Sequence, residues 1–165
     1  MNIKTKKVAL LLSALLATTS WSALAADKTL YRAYKHGNHF YTTNVTDMLN
    51  ATHSGGFTYE GIAVILVSYD DNDADKAFYR MHNPTAGPGG NHFYTSDLNE
   101  ALNIKSLGYE YESTEGYTTR SQAKTIYRGY HSELINHFYT TSVTEMLNAT
   151  HSGGYTYQKE EGYGK

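Results

Sequence analysis

Asn38-His39-Phe40-Tyr41-Thr42 is a pentapeptide that returns as Asn91-His92-Phe93-Tyr94-Thr95 and again as Asn136-His137-Phe138-Tyr139-Thr140. Each copy follows a Tyr-Arg pair, namely Tyr31-Arg32, Tyr79-Arg80 and Tyr127-Arg128, and successive pairs stand 48 residues apart. Self-similarity at a fixed period means one supersecondary unit used repeatedly. The chain therefore divides into three units, residues 29–76, 77–125 and 126–165.

The same signals recur in the same order within each unit. The Tyr-Arg pair lies in a short aromatic strand, a Gly-containing turn follows, and the pentapeptide forms a second strand, which together read as a hairpin. The turn is Lys35-His36-Gly37 in unit one and a long stretch from Asn83 through Pro84, Gly87 and Pro88 to Gly90 in unit two. Asn44, Asp97 and Ser142 then stand three positions before Asp47, Glu100 and Glu145. That is capping-box spacing, in which the first side chain caps a free N–H and the acid reaches back to it. Val45, Met48 and Leu49, with their counterparts in the other units, continue at helical spacing until glycine stops the helix at Gly55, Gly108 and Gly153. A Tyr-rich third strand closes each unit. Glu60-Gly61, Glu115-Gly116 and Glu161-Gly162 align if unit one has lost three residues before the pair. Ile62 to Val67 reads as a buried strand, and unit three stops at Lys165 without an equivalent of it.

A unit of this size buries too little surface to be stable alone. The expected fold is α+β and mainly β: three strand–strand–helix–strand repeats in a pseudo-threefold, propeller-like ring. A β-trefoil is the alternative, and the recurrent capped helix counts against it.

Lys4, Lys6 and Lys7, the apolar run Val8 to Leu16 and the Ala23-Leu24-Ala25 cleavage signal predict a secretory signal peptide over residues 1–25, and one domain over 26–165. Without the leader's three lysines, eleven basic residues face sixteen acidic ones. That excess argues against nucleic acid as partner. The chain has no Cys, which excludes disulfides and thiol chemistry. Its one Trp, Trp21, lies in the leader, so the aromatic character of the domain rests on 16 Tyr and 5 Phe.

The succession of Tyr-Arg, His-Phe-Tyr-Thr, a capped helix and Gly-(Phe/Tyr)-x-Tyr-Glu-Gly resembles a secreted repeat family of unknown function known in bacteria and fungi. In that family the repeats occur alone or appended to secreted hydrolases. The resemblance covers essentially the whole mature chain and implies a non-catalytic, surface- or glycan-directed module. The chain departs from the pattern at Gln158, where Glu60 stands in unit one, and in the shorter third unit.

Strand alternation puts His39 and Tyr41 on one side of the pentapeptide and Phe40 on the other, and likewise in the other two copies. Phe40, Phe93 and Phe138 are expected to share a core-facing environment. His39, His92 and His137 either brace the fold or converge near the axis on a metal. Arg32, Arg80 and Arg128 are expected to stack on aromatic rings, or to pair with Glu60, Glu115 and Glu161 between units. Asp71, Asp73 and Asp75 alternate like the start of a calcium loop but lack its glycine and its twelfth-position glutamate, so they read as a solvated connector. No nucleophile elbow, zinc-protease helix or phosphate loop is present, so no enzyme activity and no cofactor are expected. Tyrosine offers a flat apolar face and a hydroxyl, which suits sugar rings. The candidate ligand contacts are Tyr31, Arg32, His39, Tyr41, Tyr79, Arg80, His92, Tyr94, Tyr127, Arg128, His137 and Tyr139. The expected function is an exported, non-catalytic module that binds carbohydrate or a cell-envelope polymer in Tyr-lined clefts between repeats, in the periplasm or outside the cell. A protein-interaction or inhibitor module acting on another secreted protein is the alternative.

Overall fold

A computed structural model describes residues 26–86 and 90–165. The expected signal peptide and the Gly87-Pro88 part of the unit-two turn lie outside the described residues. Unit one consists of β1 (Lys28–Lys35), β2 (Asn38–Thr42), α1 (Val45–His53) and β3 (Thr58–Leu66). Unit two has β4 (Ala74–Asn83), β5 (Asn91–Thr95), α2 (Leu98–Asn103) with a 3-10 turn at Ile104–Leu107, and β6 (Glu110–Thr119). Unit three has β7 (Lys124–His131), β8 (Asn136–Thr140), α3 (Val143–Ser152) and β9 (Thr156–Gly164). Each unit forms its own three-stranded antiparallel sheet, ordered β2-β1-β3, β5-β4-β6 and β8-β7-β9, with the Tyr-Arg strand in the middle. The described strands form no closed barrel, and none of the described helices is long and apolar enough to cross a membrane.

Local chemistry explains the elements. The β1–β2 turn places His36 and Gly37 at φ 47° and 85°, the mirror-image geometry that matches strand twist. Asn44, Asp97 and Ser142 cap their helices, each accepting from backbone N–H groups of the first turn. The capping box is not closed by the acids directly. The backbone N–H of each cap residue donates to the last residue of the pentapeptide, Thr42, Thr95 or Thr140, at 3.0 Å. Those hydroxyls in turn donate to Asp47, Glu100 and Glu145. The threonine relay leaves each acid free to turn outward across a unit boundary.

The registers correct the alignment of the third strands. Arg32, Arg80 and Arg128 lie opposite Gly61, Ser113 and Lys159, and Leu30, Phe78 and Ile126 lie opposite Val64, Gly116 and Gly162. Unit one has therefore lost no residues. Each third strand carries two bulges, one at Glu60, Glu112 or Gln158 and one at Ala63, Glu115 or Glu161. A bulge re-aims its side chain, and these two aim at the arginine. Glu60 thus corresponds to Glu112, not to Glu115, and Ala63 occupies the Glu115 position. Nor is unit three truncated, because β9 matches β3 residue for residue. Gly162 replaces Val64 because its strand runs close to unit two: a Cβ there would lie 3.0 Å from Thr118 Cγ2.

One shared core joins the units. It contains Leu30, Phe78 and Ile126 with Tyr41, Tyr94 and Tyr139, supplemented by Val64 and Leu66 of the apolar β3 run. The tyrosine hydroxyls form a closed cycle: Tyr41 donates to the Tyr139 carbonyl, Tyr139 to that of Tyr94, and Tyr94 to that of Tyr41. Each hydroxyl also accepts from the same neighbour's backbone N–H at 2.9 Å. A buried hydroxyl left unpaired is costly, and here each is satisfied by the adjacent unit. The phenylalanines serve separate cores under the helices: Phe40 packs with Ala33 and Met48, and Phe93 with Met81 and Ala101. The central face of the pentapeptide is therefore the tyrosine face. Asp71 accepts the backbone N–H of Asp73, and Asp73 accepts both the backbone N–H and the hydroxyl of Ser121, so this connector ties to the next one.

Candidate functional site

Wherever two units meet, one arginine lies at the seam. Arg32, Arg80 and Arg128 lie over Phe138, Phe40 and Phe93 of the preceding unit, 5.0–5.4 Å from the ring centres. The same arginines reach the helix acid of that unit: Arg32 to Glu145, Arg80 to Asp47 and Arg128 to Glu100. The stacking expectation holds, but the acid that crosses the seam to meet the arginine is the helix acid. Glu60, Glu115 and Glu161 meet the arginine of their own unit. Glu115 and Glu161 then reach over, with Glu115 accepting from the Thr43 backbone N–H at 2.6 Å and Glu161 from that of Ser96 at 2.9 Å.

The three seams are not equal. Around Arg80 the set is complete, with Asp47 from unit one and Glu112 and Glu115 from unit two. Around Arg128, Gln158 stands at the Glu112 position. The Arg128 Nε, whose counterparts in Arg32 and Arg80 lie 2.9 Å from Glu60 and Glu112, has no partner among the described residues. Around Arg32, Ala63 stands at the Glu115 position and the bulge supplies no carboxylate. Burial alone would lower the Arg128 guanidinium, but the hydrogen bonds it donates to Glu100 and the charges of Glu161 and Glu100 raise it above its ordinary value.

The seam between units two and three opens into a cleft of about 500 Å³. Tyr109, Tyr130 and Phe93 form aromatic walls, and Arg128, His137 and Gln158 face into the cleft. Two buried nitrogens there lack partners, Arg128 Nε and His137 Nδ1; His92 Nδ1 lacks one likewise at the seam between units one and two, so the Arg128 Nε is what sets this cleft apart. Burial, with the Arg128 charge beside it, pushes the His137 imidazole down to about 3, so the ring is neutral. Burial raises the Tyr109 phenol, which therefore stays protonated.

The remaining sequence candidates separate into groups. Tyr41, Tyr94 and Tyr139 are fully buried with their hydroxyls consumed, so they present nothing to a ligand. Tyr31 and Tyr127 instead line grooves on the outer faces of units one and three, beside the helix residues Val45 and Leu49 or Val143 and Leu147. Tyr79 packs against the unit-two core. Tyr59, Tyr111 and Tyr157, not singled out from the sequence, are the exposed equivalents at 50%, 56% and 46%. Their alternation with polar residues in each third strand was the available signal. Tyr109, at the Phe/Tyr position of the third-strand motif, and Tyr130, two residues after Arg128, stand outside the sequence candidates, which rest on the first two strands of each hairpin.

The three pentapeptide histidines do not converge. Each packs at its own seam: His39 on Phe138, His92 on Phe40 and His137 on Phe93, at 4.9–5.0 Å. The one cluster with metal-ligand geometry among the described residues is His82, His92 and Glu112. Its Glu112 carboxylate already pairs with Arg80 Nε at 2.9 Å, and that neighbouring cation opposes a metal ion.

These observations define a repeat module whose units are joined by a central hydroxyl cycle and by arginine-centred seams. Residues 29–165 match the profile of the Domain of unknown function (DUF5648), and the chain belongs to that family. Searches of curated proteins and of solved structures returned no match.

Proposed function

We propose that the protein is an exported, non-catalytic binding module of three blades in a propeller-like, pseudo-threefold ring. Its ligand is a carbohydrate or cell-envelope polymer, held in the cleft between units two and three. The observation that carries this reading is the pair of buried, unpartnered nitrogens, Arg128 Nε and His137 Nδ1, in a cleft walled by Tyr109 and Tyr130. Sugar rings stack their C–H faces on such walls, and their hydroxyls pair with such nitrogens. The leader-like N-terminus and the resemblance to repeats appended to secreted hydrolases agree with it.

The substitution Gln158→Glu would return to Arg128 Nε the carboxylate that Glu60 and Glu112 give the other arginines. Binding to a glycan array and to purified peptidoglycan is therefore expected for the wild type and is expected to fall at least tenfold in Gln158→Glu. Retained glycan binding in that variant would remove the cleft from the account, and a silent wild type would remove the ligand class. A protein partner is the second reading. It is favoured by the helix faces, where Val45, Leu49, Leu98, Leu102, Val143 and Leu147 are each about half exposed. Capture of a secreted protein, lost in Leu49→Lys and Leu147→Lys but unaffected by Gln158→Glu, would favour it.

A further inference from the structure

The seam between units three and one departs from the others in a different way, and it points to a second site. Glu115 and Glu161 fill equivalent places. Glu115 accepts from Thr43 N at 2.6 Å and Thr43 Oγ1 at 3.0 Å, and lies 3.1 Å from an Arg80 terminal nitrogen. Glu161 accepts from Ser96 N at 2.9 Å and lies 2.7 Å from Arg128. The corresponding groups at the third seam are the backbone N–H of Thr141, its hydroxyl and the guanidinium of Arg32. The backbones there keep the same relation, since Thr141 Oγ1 donates to the Ala63 carbonyl as Thr43 Oγ1 donates to that of Glu115. Only the carboxylate is missing, because residue 63 is alanine.

The consequence is a difference in what each cleft exposes. Between units three and one, a cleft of about 460 Å³ is lined by Arg32 itself, with Ile62, Ala63, Thr141, Thr144 and Asn148 among its walls. At the equivalent cleft between units two and three, Glu161 forms the wall and the arginine does not. The Thr141 backbone N–H has no acceptor among the described residues. Arg32 uses three of its five N–H groups in its contacts with Glu60 and Glu145. A third carboxylate beside it raises no new electrostatic problem, because Arg80 already holds three.

We propose that this cleft binds the carboxylate of a ligand, which takes the place that Glu115 and Glu161 fill in the other two seams. One oxygen accepts from Thr141 N–H and the other from Arg32, and the rest of the ligand lies along Ile62, Thr144 and Asn148 toward solvent. The carboxylate belongs either to an acidic sugar or to a peptide C-terminus. The site stands apart from the cleft between units two and three and does not depend on it.

The test is an amide-resolved NMR titration of the domain with sodium glucuronate, sodium acetate, glucose, and one short peptide with a free or an amidated C-terminus. Saturable shifts at Thr141 and Thr144 are expected with carboxylates, and none with glucose or the amidated peptide. A stronger response to glucuronate than to the free peptide assigns a sugar acid, and the reverse assigns a peptide terminus. Ala63→Glu should fill the site from within, weaken every carboxylate at least tenfold, and raise the melting temperature by about 3 °C. Three outcomes overturn the proposal: no carboxylate moves Thr141, glucose moves it equally, or a folded Ala63→Glu binds as the wild type does. A failure of Ala63→Glu to fold also overturns it, because the place for a carboxylate is claimed to be ready made.

Discussion

The seam between units two and three and the seam between units three and one use equivalent strands, an equivalent arginine and an equivalent phenylalanine. Yet each lacks a different glutamate. The first has Gln158 where Glu60 and Glu112 stand elsewhere, and it leaves Arg128 Nε unpaired among the described residues. The second has Ala63 where Glu115 and Glu161 stand, and it leaves Arg32 lining a cleft. The seam between units one and two has both glutamates and serves as the closed reference. The repeat sets a common scaffold, and single departures from it open the two places where a ligand is proposed to bind. Burial in the reference seam is matched by charge, as a buried ion pair requires. In the other two, part of that matching is left open.

Acid should break the seams before it reaches the centre, and this is the largest effect expected. Burial pushes the His39 imidazole down to about 4 and that of His137 to about 3. The unfolded chain therefore takes up these protons first, near pH 6.5, so stability is full above that value and falls as pH drops toward 3. Each histidine contributes on the order of 3 kcal/mol to that loss. Glu100 is held down to about 2: burial opposes this, but Arg128, Thr95 and Lys159 outweigh it. Its contribution is present above the unfolded carboxylate value and disappears as pH falls toward 2. Thermal melts from pH 7 to pH 3 should decline steadily; a melting temperature that stays flat to pH 4 contradicts the burial of these rings.

A smaller effect separates the seams from one another. Arg128→Met would leave Glu161, whose side chain is 0% exposed, with Lys159 Nζ at 3.8 Å as its remaining cation, and should cost about 3 kcal/mol. Arg32→Met leaves Glu60 and Glu145, whose side chains are 30% and 41% exposed and can be hydrated, so its cost should be about 1–2 kcal/mol. Urea denaturation reads both, and equal losses would mean that Ala63 changes nothing at its seam.

Much of this was legible in the sequence. The 48-residue spacing marked the units, the cap residues marked the helix starts, and Tyr-Arg beside His-Phe-Tyr-Thr implied that arginine meets aromatic rings. Three things were hidden. Alternation separates Phe40 from Tyr41 but cannot say which side faces the shared centre when both sides are apolar; the hydroxyl cycle decides it. The bulges were invisible, so matching Glu-Gly letters misaligned Glu60 with Glu115 and concealed the loss at Ala63. The acids three residues after the helix caps satisfied a local rule, which masked their role across the seams. Gln158 stood out in the sequence as a departure, but its meaning depended on the unpaired Arg128 beside it.

The hydroxyls of Tyr41, Tyr94 and Tyr139 hold the three units as one body. Native-state hydrogen exchange at those three backbone amides tests it most directly. All three are expected to exchange only through global unfolding, with the same free energy within error. One of the three exchanging more than tenfold faster than the other two, as a unit opening by itself would require, would contradict it.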